Sequence, residues 1–250
     1  MAEITRIHFE AKASKPRRGL AMIFDLEGFS KFFNQPDSSE YVALFLNHVF
    51  EAVNACIYGG ENYWLTKHDK LPPLSIPPAH AKFMGDGGLY VWVVPRGHAD
   101  FRPAFVANLC NRLWNLKTHF PKVVAKSYSN VPVADLPPRI RFGLGAGSIY
   151  QLSHASKPRK EFIGVSLNLA SRLQTYCPDL GFIASARLGL DDAMLSEYGY
   201  VKVIATQLKG FSNEIVFVDN KELVRLKPDT RAALFKDLPM ATPPSALAAA

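Results

Sequence analysis

An α+β fold class is predicted from three features of the chain. Short apolar runs of strand length, at residues 19–26 and 89–94, are interleaved with segments whose apolar residues recur at helical spacing. Two strand-like runs flank a Gly-Asp-Gly-Gly turn signal at 85–88, so the strands pair at least partly as hairpins. With 250 residues, 48% hydrophobic and 20% charged, the chain can bury one full core with short extensions, and two large domains are not expected.

The run 19–26 is continuous enough to be a buried strand, and it ends in Asp25-Leu26-Glu27-Gly28. Asp37-Ser38-Ser39 can cap a long helix whose core stripe is Val42, Phe45, Leu46, Val49, Phe50 and Val53, closed by Gly59-Gly60. Pro72, Pro73, Pro77 and Pro78 mark a loop. The runs 81–84 and 89–94 form a hairpin whose tight turn carries Asp86. A second helix is expected over 101–120, a strand over 139–145, a helix over 165–176, a strand over 182–184 and a hairpin from 201–206 and 214–218. The division is a leader at 1–18, a main domain at 19–220 and an extension at 221–250. The Pro-, Ser- and Ala-rich end of that extension, from 239, is expected to be disordered.

Neither of the longest strand-like runs approaches the ~20 residues of a membrane span, and the first 18 residues lack a signal peptide's apolar region, so a cytoplasmic protein without a membrane partner is expected. Cys56, Cys110 and Cys177 are odd in number, lack metal-ligand spacing and read as reduced packing residues. The net charge of +7 suits an anionic partner, though part of it lies in Lys12, Lys15, Arg17 and Arg18 ahead of the first strand. No zinc-finger spacing, aromatic RNA-binding signature or basic helix occurs, and nucleic acid is not an expected partner.

Asp25 and Asp86 stand at the ends of hydrophobic strands, where a carboxylate is expensive to bury unless it is paired or bound to metal. Alone, Asp25 would pass for a turn cap and Asp86 for an ordinary Asp-Gly turn. Read together, five segments in order resemble the class III adenylate and guanylate cyclase family. They are Ile23-Phe24-Asp25-Leu26-Glu27-Gly28-Phe29-Ser30, Lys82-Phe83-Met84-Gly85-Asp86-Gly87, Arg141-Phe142-Gly143-Leu144-Gly145-Ala146-Gly147, residues 163–173 with Asn168 and Arg172, and Leu208-Lys209-Gly210. Gly145 stands where that family commonly has His.

The resemblance implies a ferredoxin-like βαββαβ palm, mostly antiparallel, with helices on one face. It implies that Asp25, Asp86 and the Leu26 carbonyl hold two Mg²⁺ or Mn²⁺ ions per site, that Asn168 positions the ribose, and that Arg172 stabilises charge on the α-phosphate. Lys209 would bind the triphosphate, and Lys82 and Glu161 would read the base. Each site would be shared across a homodimer, with the metal aspartates from one chain and Asn168, Arg172 and Lys209 from the other.

Lys82 and Glu161 offer a donor and an acceptor, which fit adenine, uracil or cytosine alike. Residues 161–184 resemble the bacterial pyrimidine cyclases of Pycsar antiphage defence systems. That likeness implies UTP as substrate and cyclic UMP as a signal to a separate effector protein. An adenylate cyclase acting on ATP and a catalytically silent nucleotide-binding module are the alternatives.

Overall fold

The computed structural model describes residues 12–65, 70–154 and 157–239. After the short β1 (Lys12–Ala13), the apolar run becomes β2 (Arg17–Glu27), followed by α1 (Phe29–Phe33) and α2 (Ser38–Tyr58). A small pair, β3 (Gly60–Glu61) and β4 (Lys70–Leu71), precedes the hairpin β5 (His80–Phe83) and β6 (Gly87–Val93). Then come α3 (Pro103–Tyr128), the long hairpin β7 (Arg139–His154) and β8 (Lys157–Gly164), and α4 (Val165–Tyr176). The rest is β9 (Phe182–Ser185), α5 (Asp192–Glu197), the hairpin β10 (Tyr200–Leu208) and β11 (Ser212–Asp219), α6 (Asn220–Arg225), α7 (Pro228–Leu234) and β12 (Phe235–Asp237).

The palm lies at one end of the sheet, in the order β7-β2-β6-β5 with every neighbouring pair antiparallel. Strand β9 then joins β7 in parallel, and β11, β10 and β12 continue the same sheet to its other edge. The expected α+β palm is therefore present and extended. The C-terminal segment through residue 237 adds the edge strand β12 and places Leu223, Leu226 and Phe235 in a core, while the tail expected to be disordered lies outside the described residues from 240 on.

Side chains alternate along β2, so its two faces have different fates. Leu20, Met22 and Phe24 enter the main core with Phe45, Val49 and Val53 of α2 and Leu109, Leu113 and Leu116 of α3. Ala21 and Ile23 point the other way, into a smaller cluster with Val91, Phe162 and Ala170 of α4. The two long helices thus share one face, and α4 crosses the opposite one. Its seat is bare backbone: a Cβ on Gly143 would lie 2.2 Å from the Ala170 carbonyl oxygen, and one on Gly145 2.5 Å from that of Ser166. A side chain at either position would push α4 off the sheet.

Helix α2 is the one helix among the described residues long and apolar enough to cross a membrane, and half of that apolar stretch is buried inside the protein. Cys56, Cys110 and Cys177 are free and buried, as expected of packing residues. Burial pushes the Cys56 thiol up to about 12 and that of Cys110 higher still.

Candidate active site

Strand alternation places Asp25 on the α4 side of β2, beyond Ala21 and Ile23. The register sets it level with Gly87 on β6 and Arg141 on β7. A Cβ on Gly87 would lie 1.9 Å from the Phe24 carbonyl oxygen. Only glycine lets β6 begin this close, and that approach carries the preceding residue, Asp86, up to Asp25. The turn is closed by the Met84 N–H donating to the Gly87 carbonyl at 3.0 Å, with Gly85 at a φ of 90°. Asp86 thus occupies an ordinary hairpin turn and also faces a second carboxylate.

One oxygen of Asp25, Oδ2, accepts from Arg141 Nη2 at 2.5 Å and from Gln174 Nε2 at 3.2 Å. Burial first, then the charge of Asp25 and a hydrogen bond with it, push the Asp86 carboxyl above the usual carboxylate range, with Arg141 pulling weakly the other way. Glu214 makes an instructive contrast. It is 4% exposed, yet its carboxylate accepts from Ser185 Oγ at 2.8 Å and from Arg187 Nε and Nη2 at 2.7 Å each, so its charge is fully paired. Asp25 and Asp86 instead oppose like charge to like charge, an arrangement that a divalent cation relieves. Among the described residues no cluster of three or more His, Cys, Asp or Glu exists, so a cation here would draw on two carboxylates plus other oxygens, as Mg²⁺ commonly does with phosphates. The Leu26 side chain is buried in the main core, which leaves its main chain to follow Asp25 at the strand end.

Asn168 and Arg172 lie one turn apart on the exposed side of α4, and no hydrogen bond or ion pair among the described residues joins either side chain to Asp25 or Asp86. Lys209 is exposed in the turn after β10, next to Gly210 at a φ of 85°. Strand β10 lies four places from β2 in the sheet, about 19 Å at the usual strand spacing. One chain therefore assembles the two aspartates with Arg141, and leaves Asn168, Arg172 and Lys209 facing outward.

The proposed base readers do meet. Lys82 Nζ lies 3.4 Å from both carboxylate oxygens of Glu161. Beside them, the His80 ring is 5.5 Å from that of Phe162. These contacts join the edge strand β5 to β8, which pairs with β7 on the far side of β2. The β7–β8 arm thus bends back across the sheet.

Arg141, Gln174 and His80 were not singled out as site residues from sequence. Arg141 has a legible signal, because antiparallel pairing of its strand with the Asp25 strand sets the two opposite each other. Gln174 has a weaker one: it is 6% exposed, a polar residue that with Ser166 shares the buried side of α4 with Leu169, Ala170 and Leu173, and such a group needs a partner.

No protein-family model and no curated protein sequence matches the chain. Solved structures do. The adenylyl cyclase CyaB from P. aeruginosa superposes with a TM-score of 0.58 at 16% identity, over 84% of this chain and 96% of that one. A guanylyl cyclase gives 0.54 at 14% identity, over 83% and 93%. A bacterial light-regulated adenylyl cyclase gives 0.53 at 12% identity, over 83% and 52%. At these identities the likeness establishes the fold, which is the palm of such cyclase domains.

Proposed function

We propose that the chain is a nucleotidyl cyclase that converts a nucleoside triphosphate, preferentially UTP, into its 3′,5′-cyclic monophosphate and pyrophosphate. The observation that carries this reading is the meeting of Asp25 and Asp86 beside Arg141, on a fold of the kind cyclases use. Two divalent cations, Mg²⁺ or Mn²⁺, would be held by Asp25, Asp86 and the Leu26 carbonyl, and when bound would favour ionisation of the ribose 3′-hydroxyl and offset phosphate charge. In the reaction the 3′-oxygen forms a bond to the α-phosphorus as the bond to the β-phosphate oxygen breaks. The hydroxyl proton is lost, and the electron pair leaves with pyrophosphate.

The chain's own groups have distinct parts in this scheme. Arg141 holds Asp25 and keeps a buried Nε without a partner, a spare donor for an anionic oxygen. Arg172, a planar and permanently charged group, stabilises charge developing at the α-phosphate, while Asn168 orients the ribose. Lys209 binds the terminal phosphates as a point charge. The exposure of these three supports a site in which they serve the carboxylates of a second copy, and a homodimer would have two such shared sites.

Lys82 and Glu161 read the base. Preference for UTP, a cytoplasmic setting and cyclic UMP as a defence signal to a separate effector rest on the likeness of residues 161–184 to pyrimidine cyclases. The second reading is an adenylate cyclase, favoured by the fit of the Lys82–Glu161 pair to adenine N1 and its 6-amino group. Equimolar ATP, CTP, GTP and UTP with Mn²⁺, followed by analysis of cyclic products, tests both: cyclic UMP is expected to dominate, and cyclic AMP in its place would establish the second reading. Asp25→Ala is expected to abolish product at least ~100-fold while leaving the fold intact. Near-normal turnover in that variant would refute the metal assignment.

A further inference from the structure

The imidazole of His80 has a nitrogen, Nε2, that is shielded from solvent and has no hydrogen-bond partner among the described residues. A native protein rarely leaves such a group idle, and one next to a binding site calls for an explanation in the ligand. His80 is two residues before Lys82 on β5, so strand alternation turns both toward the same face, level with Val91 and Leu89 of β6. Its ring packs 5.5 Å from Phe162, the residue after Glu161. The electrostatic neighbours of His80 are the two base readers, Glu161 acting on it more strongly than Lys82 does. Glu161 in turn lies 3.4 Å from Lys82. Lys82 thus touches the carboxylate, and His80, on the same face of β5 and against the neighbour of Glu161, lies close enough to feel both charges. Burial lowers the ring's proton affinity, which favours the neutral form with one ring N–H to donate.

Building on the cyclase reading, we propose that His80 is a specificity-determining residue whose Nε2–H completes a donor–acceptor–donor row, Lys82, Glu161 and His80, for the edge of a uracil base. Uracil presents an acceptor, a donor and an acceptor in O4, N3–H and O2, and all three are matched. Cytosine presents donor, acceptor, acceptor, which sets its amino group or its ring nitrogen against a like group. Adenine satisfies Lys82 and Glu161 through N1 and the amino group, while its N7, the acceptor beyond the amino group, is set back on the five-membered ring and faces away from a row spaced for the single edge of a pyrimidine. Guanine offers one acceptor and two donors, and leaves the imidazole unmatched. The third position separates uracil from the purines, which the Lys82–Glu161 pair alone does not do.

The test compares wild type with His80→Phe, which keeps a ring against Phe162 and removes the donor, and with His80→Gln, which restores a donor without the ring. Thermal unfolding of all three checks that each folds. In competition among the four triphosphates with Mn²⁺, the UTP-to-ATP ratio of kcat/KM is expected to fall at least tenfold in His80→Phe and to recover in part in His80→Gln. An unchanged ratio in a folded His80→Phe overturns the proposal, as does a wild type that makes chiefly cyclic AMP, although that enzyme would still be a cyclase. If the wild type cyclises nothing, the cyclase reading itself fails. Equilibrium binding of the four 3′-deoxynucleoside triphosphates then decides the role of His80. A loss of at least tenfold in affinity for 3′-deoxy-UTP, without the same loss for 3′-deoxy-ATP, supports it, and equal losses or no binding at all overturn it.

Discussion

Because its carboxyl is raised above the ordinary carboxylate range by burial and by Asp25, Asp86 holds a proton more tightly in the folded chain than in the unfolded one. The folded state then binds more protons through that pH interval, so stability falls as pH rises from the unfolded pKa, about 3.9, through the raised folded value, and the penalty persists above it. Asp86→Asn removes the charge and is expected to raise the thermal midpoint at pH 7 by a few degrees, an advantage that disappears below about pH 4. Mn²⁺ is expected to raise the midpoint of the wild type and not that of the variant, since a ligand stabilises only the state that binds it. A variant no more stable at pH 7 than at pH 4, relative to wild type, would contradict the like-charge picture. In the sequence, Asp25 and Asp86 stand out only when the five motif-like segments are read together, since alone each passes for a cap or turn residue. The signals of the partners of Asp25 need more than a short stretch of sequence: that of Arg141 requires the register of its strand against β2, and that of Gln174 the packing of α4.

At the scale of elements, the sequence reading located α2, α4 and the β5–β6 and β10–β11 hairpins, where hydrophobic period and turn residues agree. The helix expected over 101–120 is α3, which runs on to Tyr128 with Pro121 inside it. Val123, Val124 and Ser127 are buried beyond the proline, and their packing outweighs the lost backbone hydrogen bond. Pro121 is exposed, so Pro121→Ala is expected to stabilise the protein by about 2 kcal/mol, the ~3 kcal/mol helix penalty less the entropy gained by the unfolded chain. A lower thermal midpoint in Pro121→Ala would show that the ring packs against something essential. Strand β7 likewise runs on to His154, past the end expected at Gly145, although glycines ordinarily weaken strands. Here they serve α4, and Gly145→Ala is expected to destabilise by about 1–3 kcal/mol, since the added methyl meets backbone that cannot rotate away. Urea unfolding of the variant measures this, and an unchanged midpoint would mean that α4 sits higher on the sheet. Short α5, α6, α7 and β12 carry too few residues for a periodic signal, and only tertiary packing selects them.

For the molecule as a whole, the palm order β7-β2-β6-β5 could be anticipated from the motif order, but not the continuation through β9, β11, β10 and β12, which depends on long-range pairing. That continuation carries Lys209 far from the carboxylates of its own chain. If two copies share each site, mixing Asp25→Ala chains with Arg172→Ala chains is expected to restore up to about a quarter of wild-type activity, because random exchange makes half the dimers mixed and each has one intact site of two. Differently tagged chains verify the exchange, and exchange without recovery would rule out the shared site. The back-folded β7–β8 arm has one more consequence. Lys82 and Glu161 belong to opposite jaws of a caliper, one on the edge strand β5 and the other on β8, so their separation depends on how sharply β7 curls as well as on the side chains themselves. On the proposed reading, the size of base admitted would then depend in part on the curvature of a strand. Relatives with the same Lys and Glu could accept a purine or a pyrimidine according to residues along β7 that no nucleotide touches.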